Sequence, residues 1–382
     1  MKLEKLKLKD YRNIEKLTIE PLDGVNIIYG DNAQGKTNLV EAIYLLTGQK
    51  SFRQSRESDY IRFGQEFARI EADFYGGGRS QKATLTFGAG KKAATLNEVP
   101  LTPSELTGRF FAVVFSPTEL ALVKEGPSER RAFLDSAISQ VMPRYLKTLA
   151  SFGRASAQRN SLLSDMSRHP GMEDLLDVWD KSFAKLAYSL INARCRYIAR
   201  LSPKASEIYE GISAGREQLS VAYQCTIPGE WQSLAIGPEQ GEQLILEALQ
   251  NARREDIRCG YTTIGPQRDD LELLINGSSA RSFGSQGQQR SCALTLKLAE
   301  CAIIEEVSGE KPIVLLDDVL SELDKKRRDY FLSGLHQGQI FITCCDRNGF
   351  RGIGEGLTLR IKGGELKASR RLGRPKELSK GV

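Results

Sequence analysis

The segment GDNAQGKTN, residues 30–38, constrains the fold more than any other part of the chain. It fits the pattern G-x-x-x-x-G-K-[ST], with Gly30, Gly35, Lys36 and Thr37 in the fixed positions. Such a loop cradles nucleotide phosphates with its backbone N–H groups and its lysine, while its hydroxyl binds Mg²⁺. The pattern therefore predicts a nucleotide site. It leaves open whether the chain transfers a phosphoryl group, pumps a solute or uses ATP as a clamp.

The flanking sequence has the strand–loop–helix order that this motif requires. The apolar run VNIIY, residues 25–29, precedes the loop, and Leu39, Ile43 and Leu46 follow at helical spacing. We expect the whole loop to bind ATP. Its residues are Gly30, Asp31, Asn32, Ala33, Gln34, Gly35, Lys36, Thr37 and Asn38.

A pair of carboxylates follows a second apolar strand in PIVLLDD, residues 312–318. Ligands of open α/β sheets bind at the carboxyl ends of the strands, so both acids are predicted beside the nucleotide. We expect Asp317 to hold Mg²⁺ through water, together with the Thr37 hydroxyl. Asp318 is then placed to orient or deprotonate the water that attacks the γ-phosphate. Acidic residues also follow strands simply because they form turns. The presence of the phosphate loop favours the functional interpretation of this pair, and we assign Lys36 and Asp318 as the catalytic residues.

The segment SFGSQGQQR, residues 282–290, opens a predicted helix over residues 288–306. Ser285 offers a hydroxyl, Gly287 permits close approach of the backbone, and a helix N-terminus presents N–H groups to an anion. The alternative is an ordinary helix capped by serine after a glycine turn.

The chain, at 42.4 kDa, exceeds what one core usually supports, so two domains are expected. Short strands and glycine-rich turns before residue 100 predict an antiparallel meander, and residues 128–213 have long helical patterns. Short strands return at YTTIG and LELLING, residues 261–265 and 271–277. The predicted fold class is α/β with an inserted helical lobe. The boundaries are 1–125 and 259–364 for the α/β domain, 126–258 for the lobe and 365–382 for a flexible basic tail.

Several local patterns have two interpretations. An apolar stripe from Trp179 to Tyr197 fits a short coiled coil or a buried helix face, and Pro143 and Pro203 are expected to interrupt or end helices. The pair Cys344-Cys345 is either redox-active or two small residues that end a buried strand. Residues 362–382 carry a net charge of +5, which favours phosphate attraction or only solubility.

Composition also bears on location. Seven scattered cysteines without a C-x-x-C pair are typical of a reducing cytosol, and a zinc site is not expected. The sequence has no apolar run of eighteen residues, so we expect no membrane helix and a cytoplasmic protein.

The motifs together resemble those of the ATP-binding-cassette (ABC) ATPases. SQGQQR is similar to their signature motif, and SELD, residues 321–324, looks like their D-loop, with Ser321 and Asp324. In that superfamily two heads sandwich ATP, and each signature helix caps the γ-phosphate bound by the other subunit. The resemblance implies that Ser285, Gly287 and Gln288 contact ATP in trans.

The closer resemblance, over essentially the whole chain, is to the RecF family of bacterial recombination mediators. Seven blocks carry it in order: YRNIEKL (11–17), GDNAQGKTNLVEAIY (30–44), GQKSFR (48–53), VVFSPTEL (113–120), GPSERRAFLD (126–135), GPQRDDLEL (265–273) and LLDDVLSELD (315–324). Gln267 departs from the family's usual histidine, and Thr118-Glu119 from an acidic pair. Glu119 is assigned the metal-sensing role of the Q-loop, and Arg12 is assigned to ATP.

The resemblance implies an ABC/SMC-type ATPase head with ATP and Mg²⁺ as cofactors. It further implies an ATP-induced homodimer on double-stranded DNA near single-strand gaps and at single-strand/double-strand junctions. The dimer would recruit RecR and RecO so that RecA is loaded, with slow, DNA-stimulated ATP hydrolysis as the release switch. No membrane partner is expected.

Three rival classes fit less well. A transporter ATPase needs a signature soon after the phosphate loop and a switch histidine after the D-loop. Here Lys36 and Asp317 are 281 positions apart, and the strand QIFITCCD contains no histidine. A metabolic kinase needs no signature helix, and the SMC-type coiled-coil ATPases need hundreds of coiled-coil residues.

Two basic clusters are candidates for DNA contact or simply solvated helix faces. No base-reading motif is present, so we expect recognition through the DNA backbone and shape. The first cluster is Arg130, Arg131, Arg144, Lys147 and Arg154, and the second is Arg194, Arg196, Arg200 and Lys204.

Overall fold

The computed structural model describes residues 1–53, 55–88, 90–166, 173–320, 323, 325–334, 338–345 and 355–372. Its strands are β1 (Lys2–Tyr11), β2 (Ile14–Ile19), β3 (Val25–Tyr29), β4 (Phe67–Gly76), β5 (Arg79–Gly88), β6 (Lys91–Leu96), β7 (Val99–Leu101), β8 (Ala112–Phe115), β9 (Leu219–Gln224), β10 (Asp270–Ile275), β11 (Ser278–Ser279), β12 (Ile313–Asp317), β13 (Ile340–Cys344), β14 (Gly356–Lys362) and β15 (Glu365–Leu372). Its α-helices are α1 (Lys36–Leu45), α2 (Ala121–Lys124), α3 (Pro127–Val141), α4 (Pro143–Met166), α5 (Glu173–Ser213), α6 (Pro238–Cys259), α7 (Ala280–Phe283), α8 (Gln286–Ser308) and α9 (Lys325–Gly334). Short 3₁₀ helices lie at Glu57–Tyr60, Pro103–Leu106, Pro117–Leu120 and Trp231–Ser233.

The chain divides by its internal contacts into two compact units. The first unit comprises residues 1–117 and 300–382, and the second comprises residues 118–299. This division differs from the predicted boundaries, because the second unit extends beyond the helical lobe and includes the segment SFGSQGQQR.

The first unit contains two six-stranded sheets. One is mainly parallel, in the order β15-β14-β3-β13-β12-β8, and only β15 runs antiparallel to its neighbour. Because β3, β12 and β13 are parallel neighbours, their carboxyl ends meet at one edge, where ligands of such sheets bind. The helix α1 starts from this edge and buries Leu39 and Ile43, as the sequence spacing predicts.

The other sheet of the first unit is antiparallel, in the order β2-β1-β4-β5-β6-β7. Leu6 and Leu8 of β1 are buried with the exposed Lys7 between them, as strand alternation requires, and a register shift between Leu3 and Lys5 allows Leu3 to be buried as well. These leucines belong to the same apolar core as residues of α1 and β12. The predicted meander is confirmed in β4, β5 and β6.

The second unit combines helices α3 to α6 with a small antiparallel sheet, β11-β10-β9. Helix α5 packs against α4, α6 and β9, and its stripe residues Phe183, Leu190 and Tyr197 are buried. The stripe is therefore the buried face of a helix. Helix α5 continues through Pro203 to Ser213, so the prediction that this proline interrupts or ends a helix is wrong.

The predicted strand at residues 261–265 is also wrong. Thr262 and Thr263 donate their backbone N–H groups to the side chains of Asn160 and Asp256, at 2.8 Å each. These donors bond side chains of α4 and α6, so they are not available to a strand ladder. None of the described helices is long and apolar enough to cross a membrane.

Candidate nucleotide site

The phosphate loop leaves β3 with two glycines that no other residue could replace without strain. Gly30 has φ of 156°, and a Cβ there would lie 2.2 Å from the carbonyl oxygen of Ile361. Gly35 precedes α1 with φ of 106°, and its Cβ would lie 2.8 Å from Asn13 Oδ1. The backbone thus comes close to its neighbours at both fixed glycines.

Lys36 spans the loop that it belongs to. Its Nζ donates to the carbonyl oxygens of Gly30, at 2.6 Å, and Asp31, at 2.9 Å. Only 8% of Lys36 is exposed, whereas Asp31, Asn32 and Ala33 at the loop's tip are exposed. The ammonium group therefore lies inside the curve of backbone where this motif binds phosphates.

The acidic strand end meets the loop through Thr37. The hydroxyl groups of Thr37 and Thr343 donate to Asp317 Oδ1, at 3.0 and 2.8 Å. Thr343 Oγ1 in turn accepts the backbone N–H of Asp318, at 3.0 Å. Burial raises the pKa of Asp317, although both hydroxyl donors favour the ionised form. Thr343, at the end of β13, is a site residue that the sequence analysis missed, although its place at the end of an apolar strand was a usable signal.

The donor set of this corner fits Mg²⁺. Mg²⁺ binds hard oxygen ligands in octahedral geometry at 2.0–2.1 Å, so adjacent ligand oxygens lie about 2.9 Å apart. Thr37 Oγ1 and Asp317 Oδ1 are separated by 3.0 Å. Asp318, the next residue, is exposed and has φ of 57°, which directs the chain away from the strand.

A buried carboxylate in α1 organises the residues beside the loop. Glu41 is fully buried and accepts two hydrogen bonds from the Arg12 guanidinium, at 2.6 and 2.9 Å. The hydroxyl groups of Tyr11 and Ser51 also donate to it, at 2.6 and 2.5 Å. Burial, followed by the Glu41 charge, raises the pKa of Tyr11 well above its usual value of 10. Arg12, which the sequence assigns to ATP, is thus held by Glu41.

The C-terminal hairpin braces the phosphate loop. Gln34 accepts the N–H of Gly363 at Oε1, at 2.6 Å, and the N–H of Gly364 at its backbone carbonyl, at 3.0 Å. Both glycines have positive φ, as the turn between β14 and β15 requires. Residues 365–372 therefore form strand β15, which corrects their assignment to a flexible tail.

On the other side of the loop, Asn38 links two segments. Its Nδ2 donates to Asn13 Oδ1, and its Oδ1 accepts from the Arg53 guanidinium, both at 2.8 Å. Cys345 lies close to the loop as well. Its Sγ is 3.0 Å from Asn32 Oδ1 and 3.8 Å from Lys36 Nζ.

The signature segment lies in the second unit and forms a reciprocal cap at the start of α8. The Ser285 N–H donates to Gln288 Oε1, at 2.7 Å, and the Gln288 N–H donates to Ser285 Oγ, at 3.3 Å. These two hydrogen bonds form a capping box, so Ser285 caps helix α8 in the single chain. Ser285 is exposed, and Gly287 lies in the first turn of the helix.

The remaining predicted site residues are those of the Q-loop and the D-loop. Glu119 lies in the 3₁₀ helix Pro117–Leu120, directly after β8, and is half-buried. Ser321 and Asp324 of the D-loop lie outside the described residues.

Two arginines of the basic clusters, which were candidates for DNA contact or for solvated helix faces, are buried in ion pairs. Arg130 is 4% exposed and pairs bidentately with Asp270, at 2.7 and 2.9 Å. Arg194 is 2% exposed and bonds Asp135 and the carbonyl oxygen of Pro266. Arg144, Lys147, Arg154, Arg196 and Arg200 are exposed.

The chain is similar to known proteins over most of its length. The model of the "RecF/RecN/SMC N terminal domain" family matches residues 2–362. The "DNA replication and repair protein RecF" of Heliobacterium modesticaldum is 39% identical to this chain, over 97% of the chain and 100% of its own length. That of Ruminiclostridium cellulolyticum is also 39% identical, over 92% of this chain and 94% of its own.

The chain is also similar to solved structures. The recombination mediator protein RecF with ATP, in the RecFOR pathway, is 34% identical, with 97% of this chain and 98% of its own covered and a TM-score of 0.87. An SMC head domain from Pyrococcus furiosus is 18% identical, with 97% and 96% covered and a TM-score of 0.54, and is similar in fold alone.

Fold and site thus define an ATPase of the ABC/SMC head class, which confirms the predicted fold class. Within that class, the chain belongs to the RecF family of DNA replication and repair proteins.

Proposed function

We propose that the chain is an ATP-dependent DNA clamp of recombinational repair and replication restart. ATP binds the phosphate loop of one copy and the signature helix of a second copy, which produces a homodimer on double-stranded DNA near single-strand gaps and junctions. The dimer recruits RecR and RecO so that RecA is loaded, and slow, DNA-stimulated ATP hydrolysis releases it. The protein acts in the cytoplasm.

The observation that carries the proposal is the exposed start of α8. Ser285 Oγ accepts from Gln288, so its own O–H remains as a donor to a further acceptor. The first N–H groups of a helix have no partner within the helix, and its N-terminus favours negative charge. Ser285, Gly287 and Gln288 are therefore assigned to bind an anion, which in this proposal is the γ-phosphate held by a second copy.

The other predicted site residues each have a distinct task in this proposal. The loop from Gly30 to Asn38 and the Lys36 ammonium bind the phosphates, and Thr37 with Asp317 would hold Mg²⁺, which neutralises phosphate charge. Asp318 orients the attacking water as general base. Glu119 is the metal-sensing residue, and Ser321 and Asp324 contribute the D-loop contacts between subunits.

The mass of the protein in solution tests the proposal. We expect light scattering to give a dimer with ATP and a monomer with ADP or without nucleotide. Ser285→Arg should abolish the dimer, because the larger side chain would obstruct the ATP bound by the other copy. The affinity of the monomer for ATP should stay nearly unchanged. Lys36→Met should weaken nucleotide binding itself, and the dimer with it, because the lysine ammonium group neutralises phosphate charge. Equal mass in all nucleotide states would refute the proposal.

The exposed cations of α4 are the proposed DNA contacts of the second unit. Arg144, Lys147 and Arg154 recur at spacings of three and seven residues and so lie on one helix face. Replacing all three with alanine should weaken binding of duplex DNA uniformly across sequences. It should also reduce the slope of affinity against salt by about 0.9 per lost phosphate contact.

A charge-matched control separates local contact from net charge. Lys7, Lys9 and Lys16 are exposed on the antiparallel sheet of the first unit, and their replacement removes the same charge. We expect a smaller change in the salt slope from this control. A larger change would place the DNA on the sheet instead of α4.

A further inference from the structure

The signature residue Gln288 is tied to the helical core of the second unit by a chain of hydrogen bonds. Gln288 Nε2 donates to Glu217 Oε1, at 2.8 Å, and the Tyr209 hydroxyl donates to Glu217 Oε2, at 2.9 Å. Tyr209 is fully buried in α5, so its hydroxyl is a fixed anchor. Each oxygen of the half-buried Glu217 carboxylate therefore has one partner, one on α5 and one on α8.

The backbone at Glu217 is fixed as well. Ser213, the last residue of α5, accepts the Glu217 N–H at its Oγ, at 3.3 Å, and its hydroxyl lies within donating distance of the carbonyl oxygens of Glu210 and Glu217, at 3.1 and 3.2 Å. Position and side-chain direction of Glu217 are thus both determined by the end of α5.

The carboxylate decides how the Gln288 amide is oriented. An amide group has an acceptor oxygen and a donor nitrogen, and only the nitrogen can bond a carboxylate. With Nε2 on Glu217, Oε1 points to the Ser285 N–H and completes the capping box. The cap in turn fixes Ser285 Oγ as an acceptor from Gln288, which leaves its O–H to donate to another group.

We propose that Glu217 is a positioning residue of the signature motif, which couples helix α5 to the group that binds ATP in trans. The inference rests on the proposed function of Ser285. Without the Glu217 carboxylate, the Gln288 amide is free to rotate, and Ser285 loses its fixed direction. A displacement of the end of α5 would reach the signature by the same route.

Variants of Glu217 test the proposal by separating nucleotide binding from dimer formation. Glu217→Ala should weaken ATP-dependent self-association about tenfold, since a hydrogen bond to a charged group is lost. Hydrolysis should fall in parallel, while the affinity of the monomer for ATP stays unchanged. Glu217→Gln should recover most of the association, because its amide oxygen can accept from Gln288 while the Tyr209 oxygen accepts from its amide nitrogen.

Matched variants exclude a general loss of charge or stability. Glu210→Ala removes an exposed carboxylate from the same end of α5 and should behave like the unaltered protein. Glu217→Ala combined with Gln288→Ala should be no weaker than Gln288→Ala alone. If Glu217→Ala does not fold, Tyr209→Phe removes only the anchoring hydroxyl and should weaken association about threefold.

The outcomes distinguish the two hypotheses. Absence of ATP-dependent association in the unaltered protein would refute the proposed function. If the unaltered protein associates, Ser285→Arg blocks it and Glu217→Ala leaves it intact, the role of Glu217 alone is refuted. Additive effects of the Glu217 and Gln288 replacements would also overturn it.

Discussion

Removal of Arg12 from the buried Arg12–Glu41 ion pair beside the phosphate loop is expected to destabilise the first unit by about 3 kcal/mol. Glu41 is fully buried and Arg12 is 14% exposed, so Arg12→Ala would leave a buried carboxylate without its bidentate partner. Breaking a buried pair costs about 3–5 kcal/mol. We take the lower end because Tyr11 and Ser51 still donate to Glu41, and Arg53 lies 3.9 Å away.

Thermal unfolding measures this loss. For a unit of roughly 200 residues, 3 kcal/mol corresponds to a decrease in Tm of about 7 °C. Arg12→Ala combined with Glu41→Gln should regain part of the loss, since no unpaired charge remains. A decrease below about 2 °C for Arg12→Ala would refute the argument from burial.

The same variant tests the assignment of Arg12 to ATP. A bound ligand stabilises the folded state by RT ln(1 + [L]/Kd), so the rise in Tm on adding ATP reports affinity. If Arg12 contacts the nucleotide, this rise should shrink in Arg12→Ala as well. A full ATP-induced rise on top of a lowered Tm would leave Arg12 with a structural role only.

The other predictions concern hydrolysis, a thiol and the C-terminus. Asp318→Asn should bind ATP and form a long-lived dimer but hydrolyse slowly in single-turnover assays, and fast hydrolysis would move the base to Glu119. Alkylating Cys345 with iodoacetamide should weaken ATP binding about tenfold or more, because its Sγ lies 3.8 Å from Lys36 Nζ. Bound ATP should protect it, and Cys344→Ser should stay sensitive while Cys345→Ser does not. Truncation after residue 372 should reduce the salt dependence of DNA binding only, whereas truncation after residue 362 should also weaken ATP binding through loss of the Gln34 contacts.

Local patterns predicted the phosphate loop and its surroundings. The loop motif fixes its own backbone, because Gly30 and Gly35 need conformations that other residues avoid. The apolar runs of β3 and β12 have the length and composition of buried strands, so their carboxyl ends could be placed together. The contact between Thr37 and Asp317 follows from that placement, although the two residues are far apart in the sequence.

The C-terminal hairpin could not be recognised from composition. The charge and glycine content of residues 365–372 and their surroundings is typical of a flexible tail. For this reason the two-residue turn Gly363-Gly364, which joins two alternating segments, was not recognised. What decides the structure is pairing of β14 with β3, an element more than three hundred residues away. Such long-range pairing leaves no local signal.

The basic clusters show a similar limit. Charge in a helix predicts a solvated face unless a partner is known, and the partners of Arg130 and Arg194 lie on distant segments. Asp270, the partner of Arg130, belongs to GPQRDDLEL, and Arg131 donates to the carbonyl oxygen of Asp269 in the same block. Two of the blocks that resemble the RecF family therefore hold each other in place.

Arg130 and Arg144 should consequently respond in opposite ways. Arg130→Ala leaves the 22% exposed Asp270 carboxylate without its bidentate partner, and it should destabilise the second unit by about 3 kcal/mol. Arg144→Ala removes an exposed charge, so its stability should change by less than about 0.5 kcal/mol. Binding of duplex DNA, measured below the Tm of both variants, should weaken only in Arg144→Ala. If Arg130→Ala unfolds like the unaltered protein and loses DNA affinity instead, the pair with Asp270 is not what holds α3 to β10.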